Sequence, residues 1–213
     1  MNPLALAALA SIIIASHGQR DQPIWQNESR LNEYQMAWTS LNKSSNVTYY
    51  QVSGTELLSG TVYNYRGEPM ETNYTCWSVQ MRSLNQSEQK GVRHYNFMVT
   101  AKNSVHFVDE PVATVSDLNY TTKNAVNYEY RKDGTNYTDP VIFTDGEMCD
   151  LFNVPRVSPQ DGCELWVKSE YKDNVPPCCS FIYDLLCDVE KSYDIYDQQK
   201  CRRVVDSLEK ESG

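Results

Sequence analysis

The sequence is poor in the residues and motifs from which active sites are built. It contains three histidines among 213 residues, and we interpret His94 and His106 as ordinary strand or loop residues rather than bases or metal ligands. The spacings typical of a serine hydrolase, a zinc protease, a phosphate-binding loop and a dinucleotide-binding loop are absent from it. We therefore predict no enzymatic activity, no catalytic residue, no cofactor and no metal site.

Long apolar segments and basic runs are missing as well. The uncharged apolar run from Pro3 to Ala15 is shorter than the ~20 residues that a membrane-spanning helix needs, and no later run is longer. Because small residues follow it, we expect residues 1–18 to be a signal peptide and the secreted mature chain, residues 19–213, to form one domain. The formal net charge of −9 argues against nucleic acid or a membrane as a partner.

Cysteines and glycosylation signals favour an extracellular location. The seven cysteines include no CxxC pair and no zinc-type cluster with histidine, so we expect disulfides formed in an oxidising compartment. The Asn-x-Ser/Thr acceptor sequence has significance only for a chain that enters the secretory pathway. The predicted glycosylation sites are Asn27, Asn42, Asn46, Asn73, Asn85, Asn119 and Asn136.

The apolar periodicity changes from helical to strand-like near residue 47. Leu31, Tyr34, Trp38 and Leu41 fall on one face of a short amphipathic helix. Beyond them, short segments rich in Val, Thr, Tyr and Phe are separated by turn residues. Eight such strands without intervening helices predict an all-β, up-and-down antiparallel barrel, whose closure removes exposed sheet edges. The strands are predicted near 47–55, 73–82, 92–101, 111–118, 125–131, 137–144, 150–154 and 163–171.

A second helical pattern follows the last predicted strand. Pro176 and Pro177 end that strand. The next apolar residues lie on one helical face: Phe181, Ile182, Leu185 and Leu186. The polar tail from Arg202 to Gly213 is expected to be frayed. Because an eight-stranded barrel is just wide enough to hold one small ligand, the side chains that point inward are the candidates for binding.

Acidic residues stand beside aromatic residues in the predicted strands. Side chains of a strand alternate between its faces, so Glu164 and Trp166 share one face and Cys163 lies on the other. A strand carboxylate usually points to solvent, but a large aromatic such as Trp166 prefers burial, which favours an inward face for both. A buried carboxylate requires a cation or hydrogen-bond donors, and an amine ligand supplies both. If Glu110, which opens another predicted strand, also faces inward, the empty cavity is expected to be electrostatically strained or to hold a shared proton and water.

An ordered set of short motifs runs through the mature chain. It consists of Gln22-Pro23-Ile24-Trp25, Gln35-Met36-Ala37-Trp38-Thr39-Ser40-Leu41, Tyr49-Tyr50, Tyr74-Thr75-Cys76, Lys123-Asn124-Ala125, Cys149-Asp150 with Val154-Pro155, and Glu164-Leu165-Trp166. In order and in spacing, this set resembles the tick salivary histamine-binding lipocalins over essentially the whole mature chain.

The resemblance implies a lipocalin barrel with a short N-terminal helix and a C-terminal helix packed on the outside. It also implies a protein that sequesters host histamine, or serotonin or a related amine, and so suppresses inflammation. The implied main amine site consists of Glu110, Tyr128, Tyr137, Glu164 and Trp166. The implied second amine site consists of Glu68, Asp139 and Asp150. Three positions depart from the family pattern, because aromatic residues are expected at Glu56 and Val126, and a tryptophan near Met70.

The resemblance further implies the disulfides Cys76–Cys201 and Cys149–Cys179. Of the three remaining cysteines, Cys163 faces out of the barrel if Glu164 faces in, and the C-terminal helix that carries Cys187 is expected on that outer wall. A third disulfide, Cys163–Cys187, is therefore the more plausible pair, since a ring closed between adjacent Cys178 and Cys179 would be strained. The unpaired Cys178 then forms a disulfide-linked homodimer or is a buried thiol in a monomer.

Two other binding functions stay open at this point. A divergent lipocalin could bind a fatty acid, an eicosanoid or a sterol, but the carboxylates of Glu110 and Glu164 would repel a lipid carboxylate. An immunomodulator could bind a host protein through its outer surface, although glycans at many acceptor sites would obstruct that surface.

Overall fold

The computed structural model describes residues 23–130, 134–187 and 189–211. The predicted signal peptide lies outside the described residues. The strands are β1 Thr48–Gly54, β2 Ser59–Tyr63, β3 Pro69–Asn85, β4 Lys90–Val99, β5 Ser104–Val115, β6 Ala125–Tyr130, β7 Thr135–Thr144, β8 Cys149–Asn153, β9 Cys163–Lys168 and β10 Tyr193–Asp194. The α-helices are α1 Glu28–Leu31, α2 Ala37–Leu41, α3 Pro177–Leu186 and α4 Arg202–Glu211. Short 3-10 helices lie at Asn32–Tyr34, Thr100–Lys102, Ser169–Tyr171 and Val189–Lys191.

Eight strands close into an antiparallel barrel. The sheet runs β1-β9-β8-β7-β6-β5-β4-β3, and a further pairing of β3 with β1 closes it. At the closure, Tyr49 of β1 lies opposite Val79 of β3 on one side and Lys168 of β9 on the other. The predicted all-β barrel is thus confirmed, and each predicted strand corresponds to one strand of the barrel. In a closed barrel, alternate side chains of every strand point to the interior.

This alternation divides the core into one inner cluster and two outer clusters, one under α3 and one under α4. Trp166 of β9 packs in the inner cluster with Tyr128 and Phe152. Its neighbour Leu165 belongs to the first outer cluster, where α3 covers the barrel wall with Tyr183. The prediction of a C-terminal helix outside the barrel is therefore confirmed.

Three disulfides tie the C-terminal segments to the outer wall. The pairs are Cys76–Cys201, Cys149–Cys179 and Cys163–Cys187. They are the pairs that the family resemblance and the outward face of β9 lead us to expect. The remaining cysteine, Cys178 at the start of α3, is free and exposed.

The N-terminal helical segment is more broken than its apolar pattern predicts. The predicted short N-terminal helix is confirmed, but the pattern from Leu31 to Leu41 does not form a single helical face, because it is divided into α1, a 3-10 helix and α2. Leu41 is buried, but Tyr34 is 44% exposed. The break lies at Gln35, whose buried amide nitrogen donates to the carbonyl oxygens of Trp25 and Ile142 at 2.8 and 2.9 Å. These two hydrogen bonds fasten the segment to β7 and replace the turn of helix that would continue there.

The C-terminal tail is helical rather than frayed. In α4, Val204 is completely buried and Leu208 nearly so, and both pack in a cluster that contains Tyr50 and Met98. The prediction of a frayed tail is wrong because two apolar residues four positions apart, anchored by the disulfide of Cys201, suffice to dock a helix that is otherwise charged. None of the helices in the described part of the chain is long and apolar enough to cross a membrane.

Two strands outside the barrel were not predicted. β2 pairs with the first half of the 17-residue β3, and β10 pairs with the end of β1. The β2–β3 hairpin brings the segment around Gly60 to the mouth of the barrel, where a Cβ atom at Gly60 would lie 2.9 Å from the Tyr74 hydroxyl oxygen. The hairpin therefore extends the wall of the interior space.

Candidate functional site

The barrel contains a cavity of about 680 Å³ with an apolar part and a charged part. In the apolar part, Phe97 stacks on Trp77 with 4.3 Å between ring centroids. The row of rings continues through Tyr95 to Trp166, with 5.8 Å between centroids at each step. Carboxylates and arginines adjoin Tyr95 and Trp166, so a ligand could place a charged group at this end and an aromatic or aliphatic group along the rings.

Most residues predicted for the main amine site line this cavity. Those that do are Glu110, Tyr128, Glu164 and Trp166. The Trp166 indole nitrogen donates to Oε2 of Glu164 at 3.1 Å, as the shared strand face of these two residues leads us to expect. Tyr137 is not among the lining residues; it is half-buried, and its ring packs against Tyr128 and Tyr130 with centroid distances of 6.3 and 5.7 Å. Tyr137 thus contacts two residues that line the cavity.

Asp139 belongs to this same cavity, although the resemblance assigns it to the second site. It lies on β7 and accepts a hydrogen bond at Oδ2 from the Tyr128 hydroxyl at 2.9 Å. Its other oxygen, Oδ1, is buried and has no hydrogen-bond partner among the described residues. Burial, followed by the negative charge of Glu164, raises the pKa of Asp139 to about 7. The Asp139 carboxyl group therefore changes charge near neutral pH and has one oxygen to offer a donor.

Arg93 of β4 also lines the cavity and was not among the predicted site residues. Its Nη1 lies 3.9 Å from Oε2 of Glu110 and donates to the Tyr95 hydroxyl at 3.2 Å. Burial raises the pKa of Glu110, and the positive charge of Arg93 opposes that rise. The sequence does indicate the inward direction of Arg93, because Arg93, Tyr95 and Phe97 stand two residues apart in one strand and therefore share a face.

Arg156 is the second unpredicted cation of the cavity, and it comes from the loop between β8 and β9. It forms an ion pair with Glu56, and its Nη2 lies 3.7 Å from Oε1 of Glu164. The loop is closed by a hydrogen bond of 2.8 Å from the Val154 amide to the Gly162 carbonyl. A side chain at Gly162 would collide with that backbone, which is why a glycine closes the loop.

The arginines change the predicted electrostatics of the empty cavity. We expected the pair Glu110 and Glu164 to be electrostatically strained or to hold a shared proton and water, but each lies beside its own arginine. The lining carboxyl groups of Glu56, Glu110, Asp139 and Glu164 still outnumber the two arginines. Two negative charges are therefore in excess when all four are ionised, and one when Asp139 is protonated. No group of three or more His, Cys, Asp or Glu side chains within the described ranges is arranged to hold a metal ion.

The three residues predicted for the second amine site lie apart from one another. Glu68 is exposed in the β2–β3 turn, where Asn64 donates to its Oε2 at 2.7 Å. Asp139 lines the main cavity, and Asp150 lines a separate chamber in which it pairs with Lys43. The described residues thus do not bring these three carboxylates to one ligand.

The positions that depart from the family pattern have local explanations. Glu56 holds Arg156 at the cavity, and Val126 is completely buried in the inner cluster. Met70 lies opposite Val62 in the β2–β3 hairpin. An aromatic side chain at position 56 would remove the ion pair that brings Arg156 into the cavity.

Comparisons with known proteins identify the family of the chain and agree with its fold. The sequence model described as tick histamine binding protein matches residues 25–203. The male-specific histamine-binding salivary protein of Rhipicephalus appendiculatus is 30% identical over 190 residues, which cover 84% of this chain and 88% of that protein. The female-specific histamine-binding protein 1 of the same species is 27% identical over 175 residues, which cover 82% and 86%.

A solved structure supports the architecture independently. The crystal structure of an AM182–serotonin complex superposes with a TM-score of 0.56 at 17% identity, covering 78% of this chain and 92% of that chain. At this identity the likeness concerns the barrel fold alone.

Proposed function

Because the chain belongs to the tick histamine-binding protein family, we propose that it is a non-catalytic carrier that captures a small biogenic amine, histamine or serotonin, in the barrel cavity. Relatives named for histamine binding support this class of ligand, and the barrel fold is shared with a protein crystallised with serotonin. The observation that carries the proposal is the excess of carboxylates over arginines in an aromatic-lined space.

The chemistry of Asp139 supports a ligand ammonium at the charged end. A buried carboxylate oxygen without a hydrogen-bond donor costs about 1–3 kcal/mol, and an ammonium at Oδ1 would recover that cost. One positive charge would also balance the cavity when the Asp139 carboxyl group is protonated, and two would balance it when that group is ionised. The rings of Trp166 and Tyr95 offer their faces to a cation or an aromatic ring.

A fatty acid or an eicosanoid is the second candidate ligand, because the arginines favour it. Arg93 and Arg156 could each receive a carboxylate, which the sequence-based objection to a lipid did not take into account. The volume of about 680 Å³ also exceeds the needs of a ligand as small as histamine. Leu57, Leu58 and Val108 give the apolar surface that a lipid tail requires.

Calorimetric titration of the wild type and of Arg156→Gln with histamine, serotonin and a fatty acid separates the two candidates. The substitution removes a cation that competes with an amine and attracts a carboxylate. We therefore expect amine affinity to rise roughly tenfold and fatty-acid affinity to fall, since about 1.4 kcal/mol is a tenfold change. Arg66→Gln, in the exposed β2–β3 turn, is the matched control and should change neither affinity. Binding of the fatty acid by the wild type together with no binding of either amine would contradict the proposal.

We also propose that the chain is secreted and glycosylated, and that it lowers the free concentration of host amine and thereby inflammation. Six of the seven acceptor asparagines are exposed, and Asn27 is half-buried. Glycans at these positions would leave little bare surface for binding a host protein. Enzymatic removal of N-glycans should lower the apparent mass of secreted material in electrophoresis, and an unchanged mass would contradict glycosylation.

A further inference from the structure

The barrel cavity offers far more space than a small amine can fill, and the surplus is apolar. Its volume of about 680 Å³ is that of a pocket for a drug-sized molecule, whereas histamine is a single imidazole ring with an ethylammonium arm. The carboxylates and arginines account for one end only, so an amine bound there would leave the apolar part unfilled. Ordered water needs about 2–4 polar partners, which a wall of rings does not provide. A ligand that matches the whole cavity therefore has an apolar part of its own.

The apolar part is a wall of aromatic rings that leads away from the charged end. Its successive rings, each in contact with the next, are Trp166, Tyr95, Trp77, Phe97 and Tyr74. The last contact, between Phe97 and Tyr74, is edge-on with 5.8 Å between ring centroids. Arg93 at the charged end and Phe97 are separated by about 13 Å, because a strand rises about 3.3 Å per residue. The wall therefore suits an extended chain better than a compact group.

The β2–β3 hairpin and the segment before it prolong this wall. Leu58 is held beside Tyr74, because its carbonyl oxygen accepts a hydrogen bond of 2.9 Å from the Tyr74 amide. Gly60 lies against the Tyr74 ring, where a Cβ atom would come within 2.9 Å of the hydroxyl oxygen and displace it. Leu57 and Leu58 line the cavity together with Tyr74. The far end of the cavity is thus apolar and depends on the close approach of β2 to this ring.

The charged end favours a cation over an anion. Glu110 and Glu164 each lie beside an arginine, whereas the hydrogen-bond partner of Asp139 is the neutral Tyr128 hydroxyl. Oδ1 of Asp139 is buried and has no hydrogen-bond partner among the described residues. A carboxylate oxygen in this state requires a donor, which an ammonium group supplies and a ligand carboxylate does not.

We propose that the preferred ligands of the cavity are amphiphilic primary amines, whose ammonium lies beside Asp139 and Glu164 and whose extended apolar tail lies along the ring wall toward Leu58. This inference rests on the proposed amine-binding function and narrows it. Histamine and serotonin occupy the charged end, and a longer tail adds contacts that they leave unmade. Each buried methylene group should raise the affinity roughly fourfold, because its transfer from water to an apolar surrounding is favourable by about 0.8 kcal/mol.

Calorimetric titration of the wild type with n-propylamine, n-hexylamine and n-decylamine tests the tail. All three are cationic at neutral pH, and the decyl chain is about as long as the ring wall. We expect Kd to fall at least tenfold from propylamine to hexylamine, and at least tenfold again to decylamine, with saturation at one molecule per chain. Equal affinities along the series would overturn the proposal, and so would saturation at several decylamines per chain, which indicates adsorption to the acidic surface.

Two ligands with the same tail test the head group. Decylamine should bind at least tenfold more tightly than 1-decanol or decanoate, since neither the alcohol nor the carboxylate brings a positive charge to Asp139. Equal or tighter binding of either would overturn the proposal. If histamine and serotonin bind but affinity is constant along the alkylamine series, the proposed function stands and this inference falls. Binding of the long amines without either of these two sustains the inference and contradicts the capture of histamine or serotonin.

A substitution at the far end locates the tail. Leu58→Trp fills space at the end of the ring wall, so the ratio of decylamine affinity to propylamine affinity should fall at least tenfold. Leu185→Trp, the same exchange at an exposed position of α3, is the matched control and should keep the wild-type ratio. An equal effect of the two substitutions on this ratio would overturn the placement of the tail. If Leu58→Trp does not fold, the alkylamine series on the wild type decides the proposal by itself.

Discussion

The two oxygens of Asp139 lie in unlike surroundings, and this difference gives amine binding a pH dependence. Oδ2 is satisfied by Tyr128, whereas Oδ1 is free for a ligand donor, and the pKa of the group is raised to about 7. Above this pH the carboxylate attracts a cation, and below it the protonated group does not. We expect serotonin, whose amine is cationic throughout this range, to bind roughly tenfold more weakly at pH 6 than at pH 8. Calorimetry at the two pH values measures the change.

Asp139→Asn is the variant that assigns this dependence to one residue. It should bind serotonin weakly and equally at pH 6 and pH 8, because the titrating group is gone. In the unliganded wild type the raised pKa means that the folded protein binds this proton more tightly than the unfolded chain does. The free energy of unfolding should therefore decrease as pH rises from about 4 to about 7, and Asp139→Asn should lack that decrease. A wild-type affinity that is constant from pH 8 to pH 6 would show that Asp139 does not face the ligand charge.

The negative charge of Glu164 is expected to contribute to histamine binding. Its carboxylate accepts from Trp166, lies 3.7 Å from Arg156, and lines the charged end of the cavity. Glu164→Gln keeps the shape and removes the charge, so histamine affinity should fall at least tenfold, since a charge-assisted hydrogen bond contributes about 1.5–3 kcal/mol. Glu129→Gln, at an exposed position of β6, is the matched control and should leave the affinity unchanged. Equal calorimetric affinities in both variants would exclude Glu164 from the site.

At the scale of secondary-structure elements, the barrel strands were predictable and the irregular segments were not. Each barrel strand alternates between the inner cluster and an outer cluster, and this alternation is readable from Glu164, Leu165 and Trp166 alone. Arg156 lies in a loop, where no periodicity indicates the direction of a side chain, so its place in the cavity depends on a tertiary fold that the sequence pattern does not encode. The resemblance identified Asp139 as a binding residue but gave no distance between Asp139 and Asp150. It therefore could not predict that the two residues line different spaces.

Helix α4 is another segment that the sequence pattern did not predict, and its docking can be tested. Charged residues surround its two buried apolar residues in the sequence, so the apolar pattern is weak, yet Leu208 is only 5% exposed. Leu208→Ala should lower the free energy of unfolding by about 2–3 kcal/mol, because it removes buried methyl groups from the cluster under the helix. Denaturant unfolding followed by fluorescence measures the loss. Glu209→Ala, at the exposed neighbouring position, should change stability by less than about 0.5 kcal/mol, and equal effects of both substitutions would mean that α4 is not docked.

In the whole molecule, two disulfides attach α3 to the barrel wall and one exposed cysteine stays unpaired. Cys149–Cys179 and Cys163–Cys187 attach the two ends of α3 to the barrel wall. The helix is therefore a rigid support for the side chains on its outer face. The alternative of a buried Cys178 thiol in a monomer is contradicted by the exposure of this residue.

The outer face of α3 is the surface on which we expect a second copy of the chain. Phe181 and Leu185 are 63% and 57% exposed, and they follow Cys178 at spacings of three and seven residues, which place all three on one helical face. An exposed thiol beside two exposed apolar side chains favours a homodimer joined by a Cys178–Cys178 disulfide, since joining two copies pairs the thiol and covers the apolar groups. Electrophoresis of deglycosylated secreted material should show a dimer band that reductant converts to monomer. Cys178→Ser should give monomer under both conditions, while its stability and ligand affinity stay at wild-type values because the three internal disulfides and the cavity are untouched. A wild-type chain that migrates as monomer without reductant would refute the covalent dimer.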